Sequence, residues 1–182
     1  MSRPDSPSRP YRPLHAGLLA TLLATLLLGL PLRAPAAEGS EKIGLTDNLA
    51  AELARLPSEG VLVLMISLPD CHYCEGVREG YLQPLVRNPL RRTQYRVAEI
   101  SLGLDLPITA FDGSATTIGK LHDRLRLRVA PTLLFVDRCG RELADRLVGG
   151  DVAGFYNAYF EQSLNEARAQ AKENAGLACT AS

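Results

Sequence analysis

Val61-Leu62-Val63-Leu64-Met65-Ile66 runs without a polar residue, and Cys71-His72-Tyr73-Cys74 follows it within five residues. The run is rich in Val and Ile and is preceded by Glu59-Gly60. It reads as a strand buried on both faces. The cysteines then open a helix. Two cysteines separated by two residues close a disulfide within one helical turn. The first lies where backbone N–H groups and the helix dipole favour a thiolate. This is the arrangement that thiol–disulfide exchange requires.

Upstream, Thr46 caps a helix in this reading, with Leu49, Leu53 and Leu56 at helical spacing and Pro57 ending it. Downstream, Gly76 and Gly80 weaken the cysteine-bearing helix, and Pro84 kinks or ends it. Residues 95–100 form a second strand candidate, and 101–115 a long link. A helix spans about Thr117 to Leu125. Thr132 to Val136 and Glu142 to Val148 read as two further strands joined at Asp137-Arg138-Cys139-Gly140. Asp151 caps a final helix to about Asn174, with Phe155, Tyr159 and Leu164 as core contacts. The first two strands, joined through a helix, are expected parallel with a right-handed crossover. The last two are expected antiparallel. This predicts an α/β fold, a mixed four-stranded sheet with helices on both faces.

The N-terminus has a different character. Arg3, Arg9 and Arg12 stand against one acid, Asp5, before an uncharged apolar stretch from Ala16 to Leu30. Pro31 breaks that stretch, and Ala34-Pro35-Ala36-Ala37 offers small residues for cleavage. Residues 1–37 therefore read as a secretory signal peptide, of Sec type because no Arg-Arg pair precedes the core. The alternative is an uncleaved membrane anchor, although a spanning helix needs about 20 residues. Residues 38–182 then form one domain with a short C-terminal tail. The whole chain carries 20 basic and 20 acidic residues. Without Arg3, Arg9, Arg12, Arg33 and Asp5 the remainder has 16 and 19, a net charge of −3. Nothing in that balance points to nucleic acid. Export to the periplasm places all four cysteines in an oxidising compartment.

The order of elements, Cys71-His72-Tyr73-Cys74 after the first strand, and Val129-Ala130-Pro131-Thr132 before the third resemble the thioredoxin fold over about residues 45–172. Phe135-Val136-Asp137-Arg138-Cys139-Gly140 and Gly149 are most similar to exported bacterial thioredoxins, including those tied to sulfur oxidation and cytochrome c maturation. The resemblance implies that Pro131 is cis and faces the cysteine pair, and that Ala130 offers its backbone to an extended substrate segment. It also implies a redox-active Cys71–Cys74 disulfide in place of any separate cofactor. There are departures. Asp70, after Pro69, stands where the family carries Trp, and the chain has no Trp at all. Met65 replaces a buried acid. Glu99 on the neighbouring strand is a substitute proton acceptor or, alternatively, an edge or surface residue.

On this reading Cys71 attacks a substrate disulfide and Cys74 resolves the mixed disulfide. His72 favours the thiolate and an oxidising protein, whereas Asp70 opposes it. Tyr73 is a contact surface, and His122 a surface residue without a metal role. Covalent haem attachment is excluded because Glu75, not His, follows the second cysteine. Zinc is disfavoured because Cys139 and Cys179 are isolated in sequence. The expected activity is reduction of disulfides in exported proteins, fed by a membrane electron donor. The alternatives are a disulfide-forming oxidant and a non-enzymatic copper metallochaperone. Cys139 and Cys179 are expected to form a structural disulfide, since the final helix overshoots the preceding strand and its tail folds back to the turn. The alternative is two free or intermolecularly linked thiols.

Overall fold

The computed structural model describes residues 43–103 and 105–179; the expected signal peptide lies outside them. β1 is Val61–Ser67, every residue of it buried. It pairs in parallel with β2, Tyr95–Ser101, from Val61↔Tyr95 to Ser67↔Ser101. On its other side it pairs antiparallel with β5, Thr132–Val136. Between them in sequence lies a small separate hairpin of β3, Pro107–Thr109, and β4, Ala115–Thr117. β6, Leu147–Val148, completes the sheet in the order β2-β1-β5-β6. This is a thioredoxin fold, a mixed four-stranded sheet with helices on both faces.

Alternation along the strands divides the core. Leu62, Leu64, Ile66, Ala98, Ile100 and Leu134 face one side, under α1, Leu49–Ala54, and α4, Ile118–Arg124. Val61, Val63, Met65, Tyr95 and Phe135 face the other side, under the cysteine-bearing helix and α5, Tyr156–Asn174. A fully buried side chain of this size contributes roughly 1.5–3 kcal/mol, so the two-sided burial of β1 anchors the fold.

Several details differ from the sequence expectation, among them the β3–β4 hairpin, which begins inside the segment expected as a link. The cap of α1 is Asn48, whose Oδ1 accepts the Ala51 N–H at 2.8 Å. Thr46 instead donates its backbone N–H to the Glu99 carbonyl. The helix after the cysteines does not end at Pro84. α2, His72–Val77, passes through a π turn, Arg78–Leu82, into α3, Gln83–Arg87. The wide turn lets the Gln83 N–H reach the Arg78 carbonyl, and Pro84, which has no N–H to offer, falls at the join. The expected strand over 142–148 shrinks to β6 plus one bridge, Val136↔Glu142. Between them Leu143 donates its N–H to the Phe135 carbonyl, and Arg146 pairs with Glu142 and donates to the Leu125 carbonyl. Finally, α5 begins at Tyr156 with Phe155 at its N-cap. Asp151, expected as the cap, instead accepts the Gly154 N–H in the loop before it. The helix buries Tyr156, Phe160, Leu164, Ala167 and Ala171. Phe155 and Tyr159 lie outside, 67% and 58% exposed.

Candidate active site

Cys71 is the N-cap of α2. In the disulfide with Cys74 its Sγ accepts the Cys74 N–H at 3.1 Å. Cys71 is half-buried, while Cys74, one turn in, is 1% exposed. The first sulfur is therefore the one a partner reaches, and it already sits against a first-turn N–H that stabilises negative charge.

Local structure aims this pair. Asp70 holds φ 53°, a left-handed conformation that Asp tolerates better than most residues. Pro69 packs on Gly103, where any side chain would collide with its ring. On the other flank, a Cβ at Gly150 would stand 3.0 Å from Tyr73, so the glycine lets the tyrosine lie on the 149–154 loop. His72 and Tyr73 are both exposed, with ring centroids 6.0 Å apart.

The Ala130–Pro131 peptide bond is cis. Thr132 pairs with Ile66 near the end of β1 that leads to Cys71, so Pro131 and the cysteines share one end of the sheet. The Thr132 hydroxyl donates to the Val129 carbonyl at 2.6 Å, and the Gly149 N–H to the Pro131 carbonyl at 2.8 Å. Among the described residues, the N–H and C=O of Ala130 take no partner.

Glu99 is neither free nor on the surface. It is 5% exposed and lies beside Met65 across the β1–β2 pair. Both its oxygens accept from Arg78, at 2.9 and 2.7 Å. The hydrogen bonds from Arg78 to Glu99 hold the guanidinium more firmly charged than usual. As built, the carboxylate anchors the start of the π turn to the edge strand. Arg78 was not a sequence candidate, because only the β1–β2 register and the π turn bring it to Glu99. A second unanticipated contact is Tyr81, whose hydroxyl donates to Asp151 at 2.6 Å. That hydrogen bond is the main cause holding Asp151 below the usual carboxylate range.

Cys139 and Cys179 are joined, with Cα atoms 5.1 Å apart. Because β5 runs antiparallel to β1, this bond lies at the end of the sheet away from Cys71. Buried Asp137 organises the turn by accepting from the backbone of Cys139 and Arg141 and from the Arg141 side chain. His122 lies on α4, 3.3 Å from Asp123. Among the described residues, no three His, Cys, Asp or Glu side chains converge as a metal site, and no helix is long and apolar enough to cross a membrane.

No family model matches the chain, and no curated protein matches it. Solved structures do. A thioredoxin of Malassezia sympodialis is 14% identical, over 66% of this chain and 90% of that one, with a TM-score of 0.45. A thioredoxin-fold protein from Helicobacter pylori is 14% identical, over 78% and 97%, with a TM-score of 0.47. Mitochondrial thioredoxin 3 from Saccharomyces cerevisiae is 14% identical, over 69% and 97%, with a TM-score of 0.45. The fold is read from this chain's own strand order and register, not from these likenesses.

Proposed function

We propose that the chain is a periplasmic thiol–disulfide oxidoreductase that reduces disulfides of other exported proteins. The observation that carries this is the asymmetry of the pair: a reachable Cys71 at a helix N-cap, a buried Cys74 one turn behind it, and an open backbone at Ala130 on the same end of the sheet. The pattern of residues 1–37 supports export.

In the dithiol form, the Cys71 thiolate attacks one sulfur of a substrate disulfide. That S–S bond breaks, a mixed disulfide forms, and the departing substrate thiolate takes a proton. Cys74 then loses its proton and attacks Cys71 Sγ, which closes the Cys71–Cys74 bond and releases the second substrate thiol. The substrate gains two electrons and two protons, and the protein loses them. A dithiol donor at the membrane must return them, because an oxidising compartment supplies none. No group beyond the two sulfurs takes part.

The test is the reduction potential of the Cys71–Cys74 pair, by titration of the purified protein in glutathione or dithiothreitol buffers with thiol trapping. A value near or below about −220 mV is expected for the reductase, and one near −120 mV would make the protein an oxidant instead. Cys71→Ser should abolish exchange, and Cys74→Ser should accumulate the mixed disulfide. A pair that exchanges with nothing but binds Cu(I) tightly would replace this reading with that of a copper carrier.

A further inference from the structure

Between the end of β4 and the cis proline, the chain carries Lys120, Arg124, Arg126 and Arg128 against one acid, Asp123. Arg124, Arg126 and Arg128 are exposed and alternate with the half-buried Leu125 and the buried Leu127. Arg124 is met by Asp112 at 3.7 Å. Among the described residues, Arg126 and Arg128 meet no carboxylate.

Arg126 also stands in an unfavourable place for its type. The Arg126 N–H bonds to the Asp123 carbonyl, and the Leu127 N–H to the His122 carbonyl. These two bonds close the end of α4 in the pattern that places a left-handed residue just past the helix. Glycine suits that position, yet Arg126 occupies it at φ 52°.

Directly beside this stretch lies a groove of about 340 Å³, in which Leu68, Leu102, Ile118 and Val129 supply apolar surface, with Arg128 and Ala130 also lining it. Leu68 and Val129 are 45% and 46% exposed. Of the nearby acids two are already engaged, while Asp70, two residues after Leu68, is exposed beside the cysteine pair. Asp105 accepts the Gly119 N–H at 2.7 Å, and Asp123 faces His122.

We propose that this groove holds an extended segment of the partner polypeptide, and that Arg126 and Arg128 select segments carrying Asp or Glu close to the reactive cysteine. An apolar side chain of the same segment lies over Leu68 and Val129, and its backbone pairs with Ala130. The inference rests on the oxidoreductase reading and assigns its substrate class. Exposed charges of this kind act mainly on encounter rate and specificity.

The test uses short peptides with one internal disulfide, identical except for Glu, Gln or Lys on either side of the cysteines. Rates of oxidation of the dithiol protein are followed by thiol trapping. The Glu peptide should react about fivefold faster than the Gln peptide at low salt, and the Lys peptide slowest. The ratio should collapse toward one at ~0.5 M salt and in Arg126→Gln/Arg128→Gln. Arg126→Gly should raise the melting temperature while losing part of the preference. In parallel, binding of the same peptides with Ser for Cys is measured by fluorescence anisotropy. Exchange without charge preference, or a preference that survives the double substitution, overturns this inference and leaves the oxidoreductase reading standing. Selective binding of the Glu peptide without any exchange overturns that reading and leaves the groove. Neither exchange nor selective binding overturns both.

Discussion

Asp70 sits one residue before the attacking sulfur with a left-handed backbone and an exposed carboxylate. Its charge raises the cost of the Cys71 thiolate and so favours the disulfide. Asparagine tolerates the same backbone without the charge. Asp70→Asn is therefore expected to make the potential less negative by about 5–20 mV, the range that corresponds to an exposed charge interaction of ~0.2–1 kcal/mol. Potential titration of the two proteins side by side checks it, and a shift to more negative values would contradict the sign. The Arg78–Glu99 pair is the other residue-scale feature. Arg78→Met strands a buried carboxylate and is expected to cost roughly 3 kcal/mol, the low end for a broken buried pair because the Arg78 side chain is 25% exposed. Adding Glu99→Leu should recover most of that loss in denaturant unfolding. The cysteine pair was legible in the sequence because its chemistry is tied to local spacing, whereas the cis bond before Pro131 was expected only through the resemblance, since no local pattern selects a cis proline. The partner of Glu99 was not legible, since it depends on a strand register and a turn type that no local pattern encodes.

Among the elements, the loop 149–155 is held by few contacts: Gly149 to the Pro131 carbonyl, Tyr81 to Asp151, Gly154 to Asp151, and Gly150 against Tyr73. The depressed Asp151 carboxyl gives this loop an acid limit. Its contribution is fully present above the ordinary carboxylate value near 4 and is lost as pH falls through its lower folded value. Glu161 follows the same sign, its carboxyl held down chiefly by the hydrogen bonds from Arg91. The melting temperature should thus be flat from about pH 7 to 5 and fall below 4, and Tyr81→Phe should shrink the part of that fall due to the loop. A Tyr81→Phe protein with an unchanged acid profile would remove Asp151 from the account. α5 shows why an element is legible before its facing is. Phe155 and Tyr159 make as apolar a pair as Tyr156 and Phe160. The two stripes separate only further on, where the first meets Ser163 and Glu166 and the second Leu164, Ala167 and Ala171. The short β6 was illegible for another reason. Just upstream, Arg146 makes a long-range contact to the Leu125 carbonyl, which no local pattern encodes.

At the scale of the whole molecule, two disulfides divide the labour between opposite ends of the sheet. Cys71–Cys74 encloses three residue steps and is the pair proposed to exchange; Cys139–Cys179 spans 40 and ties the tail after α5 to the turn after β5. A loop of that length corresponds to about 4 kcal/mol of lost unfolded-chain entropy. Cys139→Ala/Cys179→Ala is expected to lower the melting temperature by about 10 °C. The potential of the catalytic pair should stay put, since the two bonds share no contacts. A shift in that potential would mean that the two ends communicate. The succession of the four main strands followed from the sequence because each sits beside strong turn signals, while β3 and the start of β4 lay unread in the 101–115 link and the pairing of distant Cys179 with Cys139 followed only from adding helix and strand lengths. One further consequence attaches to the sheet's margins. β6 offers only two residues at one margin, and at the other the chain near Leu45 and Thr46 lies along β2 at Glu99. Blunted margins deny another molecule a long row of backbone groups to stack upon, the usual start of fibrous aggregation. The unpaired backbone at Ala130 is a single-residue exception, and on the proposed function a chain visiting it would be released again once Cys74 closes the ring.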